Sequence, residues 1–224
     1  MINIAIDGPS GAGKSTIGKM LAKKLGITYL DTGAMYRAVA LYVVRKGISP
    51  LDEGAVVPLL EEINISFSDT PERNIMLNGE DVSTAIREHS ISKAASDVSK
   101  IPAVRLFLVA MQRKIAGESD VVLDGRDITS YVLPNAEFKF FLTADVEERA
   151  RRRFEELRAK GADVDYDTVL ADIKDRDHND SHRAFAPLTK TEDSVLIDST
   201  HMNADQVAEV ITDYVLGKKK KGQE

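Results

Sequence analysis

Gly8-Pro9-Ser10-Gly11-Ala12-Gly13-Lys14-Ser15-Thr16 follows a short apolar run, residues 2–7, and precedes a helical pattern. The spacing of its glycines, lysine and serine is that of the G-x-x-x-x-G-K-[ST] phosphate loop in its strand–loop–helix setting. Glycines allow backbone conformations in which successive amide N–H groups face phosphate oxygens, and the start of the following helix favours negative charge. Lys14 supplies a charge for the β- and γ-phosphates, and the Ser15 hydroxyl suits Mg²⁺. The stretch predicts a nucleoside triphosphate site rather than a chance glycine-rich turn.

The composition excludes several classes of protein. The 224 residues are 43% hydrophobic and 29% charged, which is typical of a globular chain with one substantial core and a small subdomain. No apolar run approaches the ~20 residues that cross a bilayer, and the chain passes directly into a strand pattern, with no place for a signal peptide. The lack of cysteine excludes disulfides and thiolate catalysis, and the net charge of −6 argues against general nucleic-acid binding. With no coiled coil or long apolar edge evident, we expect a cytoplasmic monomer without a membrane partner.

Strand and helix patterns alternate on both sides of the phosphate loop. The helix after the loop ends near Gly26, residues 27–30 form a short strand pattern, and a second helix runs from Thr32 to Gly47. Further strand patterns occupy residues 121–123, 138–142 and 194–198, with helical patterns between them. This alternation predicts an α/β fold with a parallel sheet covered by helices.

Residues from about 63 to 100 interrupt that alternation. Ile65 and Phe67 alternate with polar residues, a turn is expected at residues 70–72, and Asn78-Gly79 is a strong tight-turn signal. A mostly helical stretch from Ser83 to about Ser99 follows. The sequence therefore predicts a small antiparallel α+β insert.

Two polar motifs follow predicted strands and could contact ligands. Thr32 and Arg37 lie just after the second strand, where ligands of α/β folds bind and where a guanidinium can hold a phosphate group. Asp124, Arg126 and Asp127 follow the strand at 121–123, and Asp124 has the position of a carboxylate that orients hydrated Mg²⁺. The alternatives are that Arg37 is a surface arginine and that Asp124 or Asp127 caps a turn.

A third motif lies in residues 176–183. Arg176, Asp180 and Arg183 recur at spacings of four and three, so one helical face carries all of them. Together with Arg149 and Arg153 they would form a mobile cationic wall, which suits the spread negative charge of phosphoryl transfer. The alternative for the arginines near residue 149 is a solvated helix with internal salt bridges.

The four motifs together resemble bacterial cytidylate (CMP/dCMP) kinases. They occur in the order Gly-Pro-Ser-Gly-Ala-Gly-Lys-Ser-Thr, Asp-Thr-Gly-Ala-Met-Tyr-Arg, Asp-Gly-Arg-Asp and Arg-Asp-x-x-Asp-Ser-x-Arg-x-x-Ala-Pro-Leu, and the likeness covers nearly the whole chain. The resemblance implies a P-loop nucleoside monophosphate kinase fold, with a five-stranded parallel core, helices on both faces and the small antiparallel insert. It also implies transfer of the ATP γ-phosphoryl group to CMP or dCMP with Mg²⁺.

The resemblance further implies three regions within one kinase domain, 1–224. The core would comprise residues 1–31, 103–148 and 184–224. Residues 32–102, including the insert, would bind the nucleoside monophosphate. Residues 149–183 would form a short lid that closes when both nucleotides bind, because its arginines must leave water to hold phosphate.

Residue roles are carried over from the resemblance position by position. Asn179 departs from the family pattern, since relatives often have arginine there, which puts a lid contact and the deoxyribose preference in doubt. The implied ATP site comprises Gly8, Pro9, Ser10, Gly11, Ala12, Gly13, Lys14, Ser15, Thr16, Arg149 and Arg153, with Ser15 and Asp124 at the metal. The implied acceptor-binding residues are Thr32, Arg37, Arg126 and Arg183 for the phosphate and nearby sugar, Ser96, Arg105 and Asp127 for cytosine, and Arg176 and Asp180 for the sugar and transferring phosphoryl. Tyr36 is implied to bind the acceptor, with no part of it specified. The implied catalytic residues are Lys14, Arg126, Arg176 and Arg183.

The chemistry of cytosine fits these residue types. Asp127 can accept from the exocyclic amine, while Arg105 or Ser96 donates to N3 or O2. Uracil would set a carbonyl against the carboxylate, a mismatch that discriminates strongly.

Two other functions remain open on the sequence. One is a kinase for a different small acceptor, such as UMP, AMP or a hydroxy acid. The other is a GTPase-type switch, which needs an Asn-Lys-x-Asp guanine motif, and the sequence has no Asn-Lys pair.

Overall fold

The computed structural model describes residues 1–68 and 73–221. The strands are β1 (Asn3–Asp7), β2 (Thr28–Asp31), β3 (Ile65–Phe67), β4 (Ile75–Leu77), β5 (Glu80–Asp81), β6 (Val121–Gly125), β7 (Phe138–Thr143) and β8 (Val195–Asp198). The helices are α1 (Lys14–Leu25), α2 (Thr32–Arg45), α3 (Glu53–Leu59), α4 (His89–Val98), α5 (Pro102–Glu118), α6 (Val146–Ala159), α7 (Tyr166–His182) and α8 (Ala204–Lys221). No helix in these ranges is long and apolar enough to cross a membrane.

The chain divides into two compact units. The core unit comprises Met1–Leu30 and Ala116–Glu224, and the insert unit comprises Asp31–Ile115. The nucleotide-binding region predicted at 32–102 falls inside the insert unit, which continues through most of α5. The lid predicted at 149–183 falls inside the core unit, where it corresponds to α6 and α7.

The main sheet has the strand order β2-β6-β1-β7-β8. Strand β1 runs parallel to β6 and β7, and β7 runs parallel to β8. Consecutive residues Ile4, Ala5 and Ile6 of β1 are all 0% exposed, so this central strand is covered on both faces. The prediction of a five-stranded parallel sheet with helices is confirmed.

Helices α1 and α8 supply much of the apolar surface packed against this sheet. Their periodic apolar residues join one buried cluster with the strands, and that cluster includes Ile17, Leu21, Phe138, Phe140, Val207 and Ile211. Helix α8 begins with a reciprocal cap, because the Asn203 side chain accepts from the Gln206 N–H and the Gln206 side chain accepts from the Asn203 N–H. The core thus holds the carboxyl ends of β1 and β6, from which the phosphate loop and the Asp124 motif emerge.

The insert unit contains the predicted antiparallel sheet. Strand β4 pairs with β3 and β5, and Asn78 and Gly79, both with positive φ, connect β4 to β5. The turn predicted at 70–72 lies outside the described residues. Helix α3 was not predicted, because its seven residues include Pro58 and are too few for a clear helical period.

Gly8→Ala is expected to lower the free energy of unfolding far more than Gly26→Ala. A Cβ at Gly8 would lie 1.9 Å from the carbonyl oxygen of Leu142 in β7, whereas nothing lies within 4 Å of one at Gly26. Gly26→Ala therefore meets only the left-handed backbone penalty of about 1–2 kcal/mol, since Gly26 has φ +67°. Gly8→Ala must also displace β7, and we expect a loss of at least ~3 kcal/mol. Urea unfolding of both variants measures the difference, and equal losses would contradict the close approach of Gly8 to β7.

Candidate active site

The phosphate loop connects β1 to α1 and surrounds a buried lysine. Lys14 is 6% exposed, and its Nζ donates to the carbonyl oxygens of Gly8 at 2.7 Å and Pro9 at 2.8 Å. Gly13, just before α1, has φ +87°, and no side chain caps the helix start. The N–H groups of the first helical turn therefore remain available to an anion.

The protein groups around Lys14 together disfavour its charged form. Burial, and then the nearby Arg126, lower the pKa of Lys14 to about 7, although Asp124 and Asp180 act in the opposite direction. Anionic phosphate would relieve this cost.

Asp124 connects the end of β6 to the phosphate loop. Its carboxylate accepts from the Ser15 hydroxyl at 3.0 Å and from the Tyr29 hydroxyl at 2.8 Å, and the residue is 4% exposed. The ring of Tyr29 lies against α1, where a Cβ at Gly18 would come within 2.6 Å of its Cε2. The contact between Tyr29 and Asp124 was not predicted, because the two residues lie far apart in the sequence.

These oxygens are the kind that Mg²⁺ prefers. A hydroxyl and a carboxylate can bind this ion, which usually keeps several waters and takes only one or two protein ligands. Within the described residues no three His, Cys, Asp or Glu side chains are grouped as a metal cluster. The hydroxyl of Ser15 and the carboxylate of Asp124, in contact with each other, are ligands of the type that a hydrated Mg²⁺ ion accepts.

Four predicted site residues lie together beside the loop in the core unit. Arg126 Nε donates to Asp180 Oδ2 at 2.6 Å, and Arg183 Nη1 lies 3.7 Å from Asp180 Oδ1. Arg183 Nη2 also lies 3.5 Å from Asp127 Oδ1. Burial opposes ionisation of Asp180, but Arg126 and Arg183 outweigh it and hold the pKa of this carboxyl below its usual range. Asp180 likewise raises the pKa of Arg126 against the effect of burial.

Arg176 lies one turn before Asp180 on α7. It is half-buried, and its charge is among those that lower the pKa of Asp180. The structure thus groups Arg176, Asp180 and Arg183, as their spacing predicted, although Arg183 lies just past the end of α7 in an extended conformation and is not on its helical face. Arg126 joins this group from the Asp124–Asp127 motif.

The two predicted lid arginines have different surroundings. Arg149 is 6% exposed and donates to the carbonyl oxygens of Ala144 and Ser10, both at 2.8 Å. Arg153 instead pairs with Glu156 along α6 at 2.8 Å. Arg149 is therefore fixed against the phosphate loop and differs from the mobile cation that the sequence analysis expected.

A buried carboxylate that the sequence analysis missed supports the Asp124–Asp127 motif. Asp7 is 0% exposed and accepts from the N–H groups of Ile128 at 2.9 Å and Thr129 at 2.7 Å, and from the Thr129 hydroxyl at 2.7 Å. Burial raises the pKa of Asp7. Its bonds hold the helical turn Ile128–Val132 and so fix the end of the motif.

In the insert unit, the start of α2 holds Arg37. Asp31 caps the helix by accepting from the Ala34 N–H at 2.8 Å and pairs with Arg37 Nη2 at 3.1 Å. Thr32 is 3% exposed beside them. Arg87, which the sequence analysis did not select, lies 3.5 Å from the same carboxylate. This arrangement holds a guanidinium beside the first turn of a helix.

The predicted cytosine-binding residues of the insert unit lie on α4 and α5. Arg105 is 1% exposed, donates to the Ser99 carbonyl at 3.3 Å, and has its guanidinium carbon 5.5 Å from the centre of the Tyr36 ring. Ser96 is half-buried on α4, and its backbone carbonyl accepts a hydrogen bond from the Ser99 hydroxyl. The third such residue, Asp127, lies in the core unit.

Comparisons with known proteins identify the family. The sequence profile of the family described as cytidylate kinase matches residues 4–216. The chain is 53% identical over 211 residues to a cytidylate kinase of Caldicellulosiruptor bescii, covering 94% of this chain and 93% of the relative. It is 54% identical over 208 residues to a cytidylate kinase of Caldanaerobacter subterraneus subsp. tengcongensis, covering 93% and 92%.

A solved structure supports the fold. A gluconokinase from Sinorhizobium meliloti 1021 superposes with a TM-score of 0.51 at 14% identity, covering 100% of this chain and 97% of that chain. This likeness concerns the P-loop kinase fold, while the sequence matches carry the assignment. The chain belongs to the cytidylate kinase family.

Proposed function

We propose that this protein transfers the γ-phosphoryl group of ATP to CMP or dCMP, giving ADP and CDP or dCDP. An acceptor phosphate oxygen forms a bond to the γ-phosphorus while the bond to the ADP oxygen breaks, so no covalent intermediate is needed. The observation that carries the proposal is the group of cations beside the phosphate loop. The buried Lys14 and Asp180 lie in one cluster with the half-buried Arg126 and Arg183, which suits charge spread over several phosphate oxygens.

The residues of the core unit would hold the donor. Backbone N–H groups of the loop and the start of α1 would bind the phosphates of ATP, and Lys14 would turn from the Gly8 and Pro9 carbonyls to the transferring group. Ser15 and Asp124 would hold the Mg²⁺ that accompanies ATP and neutralises part of its charge. The Tyr29 hydroxyl would keep the Asp124 carboxylate oriented.

Acceptor-binding roles are proposed for residues of each unit by itself. In the insert unit, Thr32 and Arg37 would bind the phosphate and nearby sugar, and Ser96 and Arg105 would bind cytosine. Tyr36 would also contact the acceptor. In the core unit, Arg126 and Arg183 would bind phosphate, Arg176 and Asp180 the sugar and transferring group, and Asp127 the cytosine amine. Asn179 would leave one lid contact weaker than in relatives that have arginine.

The outer parts of α6 and α7 would supply the lid. These helices share a separate apolar cluster that includes Ala150, Val169 and Ile173. Arginines of these helices, including the half-buried Arg153, would approach ATP on closure and exclude water.

We further propose that the protein acts as a monomer in the cytoplasm. A sequence of 224 residues without cysteine fits a reducing compartment.

A panel of acceptors tests this function against a kinase for UMP or AMP. In a coupled assay of ADP release with ATP and Mg²⁺, kcat/KM should be highest for CMP or dCMP and at least about a hundredfold lower for UMP and AMP. Omitting Mg²⁺ should abolish turnover. UMP or AMP turning over faster than both cytidine nucleotides would overturn the assignment, and tighter binding of GTP than ATP would favour a GTPase-type switch.

A further inference from the structure

A carboxylate and a guanidinium from two helices hold one residue of the phosphate loop by both of its backbone groups. Asp177 Oδ1 of α7 accepts from the Ser10 N–H at 2.9 Å, and Arg149 Nη1 of α6 donates to the Ser10 carbonyl at 2.8 Å. The same Nη1 donates to Asp177 Oδ2, which closes the contact between the two side chains. Arg149 is itself fixed, because its Nε donates to the Ala144 carbonyl. We call Asp177 and Arg149 the loop clamp.

The clamp determines which part of the loop can contact phosphate. The Ser10 N–H and carbonyl are already bonded within the protein, and the Gly8 and Pro9 carbonyls accept from Lys14. Because the Ser10 N–H is bonded to Asp177 and Pro9 has no N–H, neither residue can donate a backbone N–H to phosphate. A Cβ at Gly11 would lie 3.1 Å from Arg149 Cβ and 3.4 Å from Ile173 Cδ1, so the loop also packs closely on α6 and α7 at this point.

We propose that Asp177 is a positioning residue, which with Arg149 holds the phosphate loop in the conformation that binds the triphosphate. A negative side chain beside an anion site is unfavourable unless its charge is compensated, and the ion pair with Arg149 provides that compensation. The bidentate capacity of arginine explains the choice of residue, since a lysine could not donate to Ala144, Ser10 and Asp177 from two nitrogens in one plane.

The clamp also joins the loop to the transfer residues through α7. Asp177 bonds the loop, and Asp180, three residues later on the same helix, bonds Arg126. The two carboxylates therefore attach α7 both to the phosphate loop and to Arg126. A movement of the loop would move α7 and, with it, Arg126. This inference rests on the proposed ATP site and extends it to a residue that does not contact the nucleotide.

Asp177→Asn tests the clamp with the full-length protein. The amide keeps the shape and one acceptor but loses the charged pair with Arg149, so KM for ATP should rise about tenfold while KM for CMP changes less than about twofold. Asp175→Asn is the matched control, since Asp175 is exposed on the same helix and the change in charge is the same. It should leave both KM values unchanged.

A substitution of the other clamp residue, Arg149 on α6, provides a second test if Asp177→Asn does not fold. Arg149→Lys should give the same selective rise in KM for ATP. Because the two side chains act as one unit, KM for ATP in the double variant should not exceed the higher of the two single-variant values. A purely structural role would lower Tm and the concentration of active enzyme without separating the two KM values.

Calorimetry with ADP distinguishes failure of the clamp from failure of the proposed function. If wild-type protein does not bind ADP, the loop is not the donor site and the proposed function fails. If wild type binds ADP and both clamp variants bind it equally well, the positioning role alone is overturned.

Discussion

Replacing Lys14 by methionine is expected to lower kcat by at least about a thousandfold while the protein stays folded. Methionine preserves much of the volume of this buried side chain but removes the charge that would follow the transferring phosphoryl group. Lys19→Met is the matched control, because Lys19 is exposed on the same helix. It should retain full activity in the same coupled assay. A Lys14→Met enzyme with more than about a tenth of wild-type kcat would show that the loop lysine is not needed for transfer.

The burial of Lys14 also predicts that the stability of the protein depends on pH, and Lys14→Met tests this. The pKa of Lys14 is about 7 in the folded protein and 10.5 in the unfolded reference, so the unfolded chain binds this proton more tightly between these values. The free energy of unfolding of the wild type should therefore rise with pH across this window, as the cost of the buried charge disappears. Relative to wild type, Lys14→Met should gain more in Tm at about pH 6 than at about pH 9. A difference in Tm that does not vary with pH would contradict the burial of a charged Lys14.

Asp127→Asn is expected to reduce the preference for CMP over UMP by at least roughly tenfold in kcat/KM. The change keeps the volume of a side chain that is 4% exposed but replaces a carboxylate with an amide. CMP should lose a charge-assisted hydrogen bond, at a cost of about 1.5–3 kcal/mol. UMP should gain relative to CMP, because the repulsion between carboxylate and carbonyl is removed and the amide can donate to uracil.

The alternative is that Asp127 has a structural role, for which the structure shows two sets of contacts. Its carboxylate lies 3.5 Å from Arg183, and its backbone carbonyl accepts from the N–H groups of Tyr131 and Val132. If the side chain only holds Arg183, Asp127→Asn should slow both acceptors equally and lower Tm. Asp213→Asn, an exposed change of the same kind on α8, controls for the altered charge. Measuring the acceptor ratio and Tm on one preparation separates the two roles.

Most of the fold could be predicted because its signals are local. The phosphate loop, the Asn78-Gly79 turn and the reciprocal cap at Asn203 and Gln206 each depend on residues a few positions apart. The strands of the sheet are short apolar runs, which parallel strands buried on both faces require. Helix α3 escaped prediction because it is too short to show a period.

The supporting residues of the site could not be predicted, because their partners are far away in the chain. Asp7 bonds Ile128 and Thr129, and Asp177 bonds Ser10. A single aspartate in the sequence carries no signal for such a partner. The different surroundings of Arg149 and Arg153 could not be predicted either. The two arginines lie on the same basic helix, and only the packing of α6 against the phosphate loop buries one more than the other.

The central position of β1 has a consequence for how the chain folds as it is synthesised. This strand is synthesised before its partners, which are residues 121–125 and 138–141. The continuous insert unit, Asp31–Ile115, can complete its own contacts earlier. At a translation rate of about 5–20 residues per second, the apolar surface of β1 stays without its partner β6 for on the order of ten seconds. We therefore expect the N-terminal strand to be the segment most dependent on chaperones during translation, and a circular permutant that begins after β1 to shorten that wait.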